Sequence, residues 1–319
     1  MRPSNLLASI ILVAACGCGS STDLIIGYQA EASAAERTCP TPEDCESNLD
    51  ASVEADDAPE EERADAELDV AADSTCPNNG PCGPLRMALV HRYSFNGTGT
   101  MVADSVGTAH GTVVRASLSG DGSLTLAGGP VSTTNDQYVD LPNGMIRSLH
   151  DATFEAWVVW NGGGVWQRIF DFGDVAGMPE GVRFTDSTSL HLTPRAMNPP
   201  DGDVMYGAFK RANQDPALET RAPARQPLPT GVLSQVVLVV DDTHDVMTLY
   251  RDGALEGSRP FLDSLSLLND INNWLGRSQY SNDPPFDGTF YEFRIFNAPL
   301  SANAVRTLFL GGTDPAFLN

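Results

Sequence analysis

Residues 85–319 hold five glutamates: Glu155, Glu180, Glu219, Glu256 and Glu292. Splitting a glycosidic bond normally needs two carboxyl groups flanking it, about 5–9.5 Å apart. Two acids that alternate along a strand share one face and can meet that need. None of the five glutamates has an acid two positions later. Glu155 shares a strand face with Trp157, and it reads as a structural glutamate that Arg294 could hold. The five histidines, His91, His110, His150, His191 and His244, never fall at H-x-x-x-H spacing. Each reads as structural or surface. These residues contain no G-x-S-x-G elbow, no H-E-x-x-H run and no cysteine to serve as a nucleophile. The loops Gly120–Gly122 and Gly162–Gly164 are not followed by a helix start, so they read as turns and not as phosphate cradles. The chain therefore reads as non-catalytic.

Aromatic side chains offer the other chemistry, stacking on a sugar ring. Trp160, Trp166 and Trp274 are the candidates for such a platform. Trp160 and Trp166 flank the loop Asn161–Val165, where partial exposure is expected. Trp157 reads as core; Phe154 on the same short strand must point to the opposite face. The segments Pro194–Asp203, Asp215–Pro229 and Tyr280–Asp287 read as long loops, and long loops on a rigid scaffold are where recognition tends to sit.

The elements that must position these residues are strands. Alternating or short apolar runs recur between Gly, Pro, Asn and Asp from Leu89 onward. Expected strands are Leu89–Phe95, Gly111–Arg115, Ser123–Leu126, Tyr138–Leu141, Thr153–Trp160 and Gln167–Phe172. Val182–Phe184, Ser189–Thr193, Val204–Phe209, Gln235–Val240, Val246–Arg251, Ala254–Gly257, Trp274–Gly276 and Thr289–Phe296 follow. Gln235–Val240 is a continuous apolar run, as a central strand should be, and Asp252-Gly253 is a tight-turn pair. One helix is expected at Ala302–Leu310, with Ser301 as its N-cap. The fold class is all-β: a two-sheet antiparallel jelly-roll sandwich with one short C-terminal helix, preceded by a disordered acidic tether.

Charge and cysteines set the N-terminal quarter apart. The chain has 319 residues and a net charge of −23. Between Gly19 and Pro84 there are 17 acids against Arg37 and Arg63. Lys210 is the single lysine of the chain, so no basic face for nucleic acid is expected. Residues 1–15 have the parts of a secretory signal: Arg2, the apolar run Leu6–Val13, and the small residues Ala14-Ala15. Val13-Ala14-Ala15-Cys16 resembles the bacterial lipobox, which implies lipidation of Cys16 and attachment to the membrane through that anchor alone. Gly17 is not the aspartate that holds enteric lipoproteins at the inner membrane. The resemblance thus implies the bacterial outer membrane or cell surface. Residues 16–84 read as a flexible, self-repelling tether, too poor in apolar side chains to build a core. Two C-P-x₄-C elements, Cys39–Cys45 and Cys76–Cys82, read as disulfides in an exported chain, with local pairing closing the smallest loops and other pairings open. Residues 85–319 form the expected domain.

Several stretches of that domain, in order, resemble the laminin G-like/concanavalin A-like superfamily. They are His91–Gly97 with Val102–Ser105, Gln137–Pro142 with Thr153–Val158, Val236–Val240 with Met247–Gly253, and Trp274–Arg277 with Phe286–Gly288 and Glu292–Asn297. The resemblance implies two stacked antiparallel sheets, one concave and one convex. Members bind glycans, glycosaminoglycans, proteins or lipids, often with Ca²⁺. Related glucanases carry E-x-D-x-x-E on one strand, which this domain lacks. Calcium is the cofactor that the resemblance implies, with Asp104 and Asp287 as ligands. Tyr291 stands where many relatives have an aspartate just before the glutamate. The function read from all this is a cell-surface lipoprotein that binds an extracellular glycan or protein. A divergent carbohydrate-active enzyme, hydrolase or lyase, and a structural envelope protein without a soluble ligand remain alternatives, because a fold does not dictate a function.

Overall fold

The structure is a computed structural model that describes residues 83–131, 136–215 and 218–319. The expected signal peptide, Cys16 and the four cysteines Cys39, Cys45, Cys76 and Cys82 lie outside the described residues.

The described chain runs α1 (Gly83–Ala88), β1 (Leu89–Tyr93), β2 (Thr98–Gly99), β3 (Met101–Val102), β4 (Gly111–Val114), β5 (Leu118–Ser119), β6 (Leu124–Ala127), β7 (Tyr138–Leu141), β8 (Ala152–Trp160) and β9 (Phe170–Asp174). It continues through β10 (Thr188–Asn198), β11 (Gly202–Lys210), β12 (Thr220–Pro223), β13 (Leu233–Asp241), β14 (Val246–Arg251), β15 (Ala254–Pro260), β16 (Asn272–Leu275), β17 (Asp287–Phe296) and α2 (Ala302–Gly311). The strands form two antiparallel sheets. One has the order β1-β17-β8-β13-β14-β15, with β6 also paired to β17. The other has the order β12-β11-β10-β9-β16-β7-β4-β3. A small ribbon, β2-β5, stands apart.

Period-2 alternation explains why the sheets stack. In β8, Phe154, Ala156, Val158 and Trp160 face inward, while Glu155 and Trp157 face the other way. In β9, Phe170 and Phe172 face inward and Asp171 faces out. The inner faces meet in an aromatic cluster: Phe170 and Phe172 stack at 4.7 Å, and Phe154 and Phe293 pack on Phe170 at 5.4 Å and 5.9 Å. Such rings supply much of the apolar burial that holds a cysteine-free sandwich together. Gly207 on β11 points at Leu238 of β13, where an added Cβ would come within 2.3 Å of a leucine methyl, so glycine is what lets the two sheets close there.

The second apolar cluster lies outside the first sheet. Helix α2 lays Ala304, Val305 and Leu308 over Val237, Val239 and Tyr250, with Leu85 and Ala88 of α1 beside them. Ser301 caps α2 as expected, its side chain accepting from the Ala304 N–H. Trp157 stacks on Phe309, with planes 6° apart. No helix among the described residues is long and apolar enough to cross a membrane.

Three expectations are corrected. Val182–Phe184 is not a strand; only an isolated bridge joins Phe184 to Tyr280. Pro194–Asp203 is mostly not a loop: β10 and β11 extend through it as a hairpin, with a register shift between Thr193 and Ala196. That bulge is where Pro194, which has no N–H to donate, can sit within a sheet. Finally, a helix precedes the first long strand: α1 was hidden by its length of only six residues.

Candidate functional site: a cleft on the outer face of the eight-stranded sheet

The outward residues of β10 and β11 form the floor of a cleft of about 480 Å³, walled by the segments that connect β8 to β9, β9 to β10, β11 to β12 and β16 to β17. Volumes of this size suit small ligands. Leu190 and Leu192 face the core, so alternation turns His191 outward into the cleft. On β11, Met205 and Phe209 face in, and Tyr206 and Lys210 face out. Trp166 packs edge-on against Tyr206 at 6.2 Å, and His191 lies 6.0 Å from the same ring.

The polar groups of the cleft are tied into pairs. Arg168 Nη2 lies 3.0 Å from Asp283 Oδ2, and its Nη1 donates to the Trp166 carbonyl at 2.8 Å. Its Nε lies 3.3 Å from Asp171 Oδ2 without hydrogen-bond geometry. Lys210 donates to Asp186 and sits 5.6 Å over the Tyr280 ring. Asp171 Oδ2 accepts from the Gln279 N–H at 2.9 Å. Asp283 Oδ2 also accepts from the Ser278 hydroxyl at 2.7 Å.

Burial dominates the titration of these groups. It pushes the Asp171 carboxyl up to about 7, against the pull of Arg168. It pushes His191 well below its ordinary range, helped by the positive Arg168 and Lys210, so the imidazole is neutral at pH 7. Glu219 Oε1 lies 3.8 Å from His191 Nε2. That separation is beyond a hydrogen bond, and with a neutral ring it is no ion pair. Burial also raises the Glu219 carboxyl, opposed by Arg221 and Arg168. Three buried atoms here have no hydrogen-bond partner: His191 Nε2, Arg168 Nε and Asp171 Oδ1. Buried polar atoms are normally paired, so atoms left open beside a cavity are informative.

Of the three tryptophans singled out in the sequence, Trp166 lines the cleft. Trp160 is corrected to the core: it shares the inward face of Phe154 and donates from Nε1 to Gln167 at 2.7 Å. The same alternation that placed Phe154 opposite Trp157 puts Trp160 on the face of Phe154, which the structure turns inward. Trp274 is fully buried as well, donating to Asp140 at 3.1 Å under the Arg277 guanidinium, which lies 4.1 Å over its ring. Two of the long segments do contribute: Tyr280 and Asp283 come from one, Glu219 from another. His191, Arg168 and Tyr206 were missed. The signal was present for His191, which alternates with Leu190 and Leu192, but alternation does not say which outer face stays open.

Asp104 and Asp287 do not fit a shared calcium site. Asp104 Oδ1 accepts from the N–H groups of Arg92, Val106 and Gly107, and its Oδ2 accepts from His91 Nδ1 and the Ala109 N–H. Asp287 opens β17 opposite Ala127, and its Oδ1 accepts from Asn161. Among the described residues, no three His, Cys, Asp or Glu side chains gather as a metal cluster.

A two-sheet antiparallel sandwich with an open cleft on the outer face of one sheet is a lectin-type architecture. A family model described as the concanavalin A-like lectin/glucanases superfamily matches residues 133–306, and the chain belongs to that superfamily. Solved structures with similar folds include domain 4 of an extracellular arabinanase from Geobacillus stearothermophilus in complex with arabinotriose. It is 18% identical, covering 68% of this chain and 96% of that one, with a TM-score of 0.49. The CBM40 of a Ruminococcus gnavus IT-sialidase bound to α2,3 sialyllactose is 15% identical, covering 57% and 94%, with a TM-score of 0.43. The Trypanosoma rangeli sialidase in complex with the inhibitor DANA is 16% identical, covering 70% of this chain but 32% of that one, with a TM-score of 0.50. At these identities the likeness is one of fold. Comparison with curated proteins finds no sequence match.

Proposed function

We propose that the chain binds an extracellular glycan in the cleft beside Trp166, without catalysing its breakdown, and that lipidation of Cys16 ties it to the bacterial outer membrane or cell surface. The observation that carries this reading is the open cleft itself, about 480 Å³, floored by His191 and Tyr206 and walled by Trp166 and Tyr280. His191 is a buried, neutral imidazole whose Nε2 has no partner, and a small shift of its ring would bring that nitrogen to a sugar hydroxyl, which can both donate and accept. Trp166 and Tyr280 on the walls supply aromatic surface for the C–H side of a pyranose to pack on.

Two carboxylates of the cleft are held by cations, Asp186 by Lys210 and Asp283 by Arg168. Asp171 is fully buried against Arg168 and does not line the cleft, so Glu219 has no second free carboxyl of the kind that glycoside hydrolysis normally uses. A glycan array probed with the chain, followed by calorimetry on the hits, tests the reading. Binding that weakens in His191→Phe and Trp166→Ala supports it. Release of reducing ends from a bound glycan favours the enzyme alternative, and silence across the array favours a structural envelope role.

A further inference from the structure

A second cavity of about 300 Å³ meets the first at Glu219, whose side chain lines both. Along the two cavities every other lining carboxyl faces a cation. Arg168 faces Asp283 and Asp171, Lys210 faces Asp186, and Arg221 Nε lies 3.3 Å from Asp201 Oδ2. Arg259 lies at the exposed end of the second cavity, in water, where its field is screened. Glu219 is the carboxyl left over. Among the described residues the only basic side-chain atom within 4.0 Å of it is His191 Nε2, and that ring is neutral. Its carboxyl receives no hydrogen bond there, although its side chain is only 9% exposed.

We infer that Glu219 determines the specificity of the cleft, admitting uncharged, hydroxyl-bearing sugar chains and turning away acidic ones. This rests on the glycan reading above. A hydroxyl donating to a carboxylate makes a charge-assisted bond, stronger than one between neutral groups. A carboxylate or sulfate on the ligand would instead meet a like charge across a partly dry cleft, where repulsion exceeds its value in bulk water. No unmatched cation on the cleft floor offsets that repulsion. His191 Nε2 adds to the preference: a hydroxyl suits either tautomer of the neutral ring, and a carboxylate suits only one.

The test uses the full-length chain against paired glycans that differ in one charged group, such as lactose with 3′-sialyllactose and galactotetraose with tetragalacturonate, within an array of such pairs. The expected result is binding to an uncharged member, with its acidic counterpart weaker by about tenfold or more, a gap of about 1.4 kcal/mol. Glu219→Gln keeps an acceptor oxygen and removes the charge, so it should narrow the gap; Glu219→Asp keeps the charge and should preserve it. Melting curves of both variants establish that they fold. An acidic member that binds as tightly as its partner, or a gap that Glu219→Gln leaves unchanged, overturns the role of Glu219 while glycan binding stands. Absence of binding across all pairs overturns the glycan reading itself.

Discussion

Each sheet carries arginines and carboxylates on its outer face, and the two faces use them in opposite ways. On the β17–β8 face, Arg294 donates to Glu155 at 2.8 Å, to Glu292 at 3.0 Å and to the Thr313 carbonyl at 2.6 Å. Arg92 donates to Glu292 at 2.6 Å, to Asp314 at 2.5 Å and to Asn319. None of these four buried side chains has an unpartnered atom, and α2 with the C-terminal residues lies over them. On the β9–β10–β11 face, Arg168, Asp171 and His191 each keep a buried atom without a partner, and a cleft lies open beside them. A completed network locks an element in place. An incomplete one beside a cavity leaves side chains that can rearrange toward a ligand.

The largest effect that could break this contrast is on the closed face. Arg294→Met leaves Glu155 and Glu292 buried without their main cation and should cost about 3–5 kcal/mol. Urea unfolding of the chain measures it, and a loss below about 1 kcal/mol would mean that the network is no lock. Asp104 is a second completed site. Asp104→Asn removes a charge that several N–H groups point at and should cost about 2 kcal/mol. Although burial opposes it, the His91 contact and those N–H groups hold this carboxyl well below the usual range. Its stabilisation is therefore present above about pH 4 and lost as the pH falls further, and the variant should lack that acid limb in pH-dependent melts.

On the open face the effects move from stability to binding. Trp166→Ala should weaken glycan binding by about tenfold while costing only about 1 kcal/mol of stability. An equal affinity in the variant would mean the ligand sits elsewhere. Asp171 sharpens the contrast through its sign. Its carboxyl is raised to about 7, so the folded state holds a proton that the unfolded chain releases near pH 4. Stability from this group is full below pH 4 and declines as the pH rises to 7. Asp171→Asn should flatten that decline, seen as a smaller fall in Tm between pH 4 and pH 7 than in the unsubstituted chain. The smallest expected effect is that of calcium: with Asp104 spent on five hydrogen bonds, neither EDTA nor Ca²⁺ should move the melting midpoint, and a clear rise with Ca²⁺ would locate an ion site away from Asp104.

What the sequence determined by itself was the local part. Alternation and turn residues marked most of the long strands, the Ser301 cap and the opposite faces of Phe154 and Trp157, because these depend on neighbours two to four positions away. The resemblance of the ordered segments named the superfamily, and the Arg294 contact to Glu155 emerged as expected. Alternation with Leu190 and Leu192 was a signal for an outward His191 that the sequence reading did not use. Only the tertiary structure decided that helix α2, Phe309 and the C-terminal residues cover one outer face while the other is left with a cleft. It also decided that Trp274, outward on its strand, lies buried beneath Arg277. The covering groups are some 20 to 150 positions away in the chain: Phe309 on Trp157, Thr313 on Arg294, Glu219 facing His191. Period-2 spacing tells a side chain which way to point, and only the packing of distant segments tells it whether it meets protein or water.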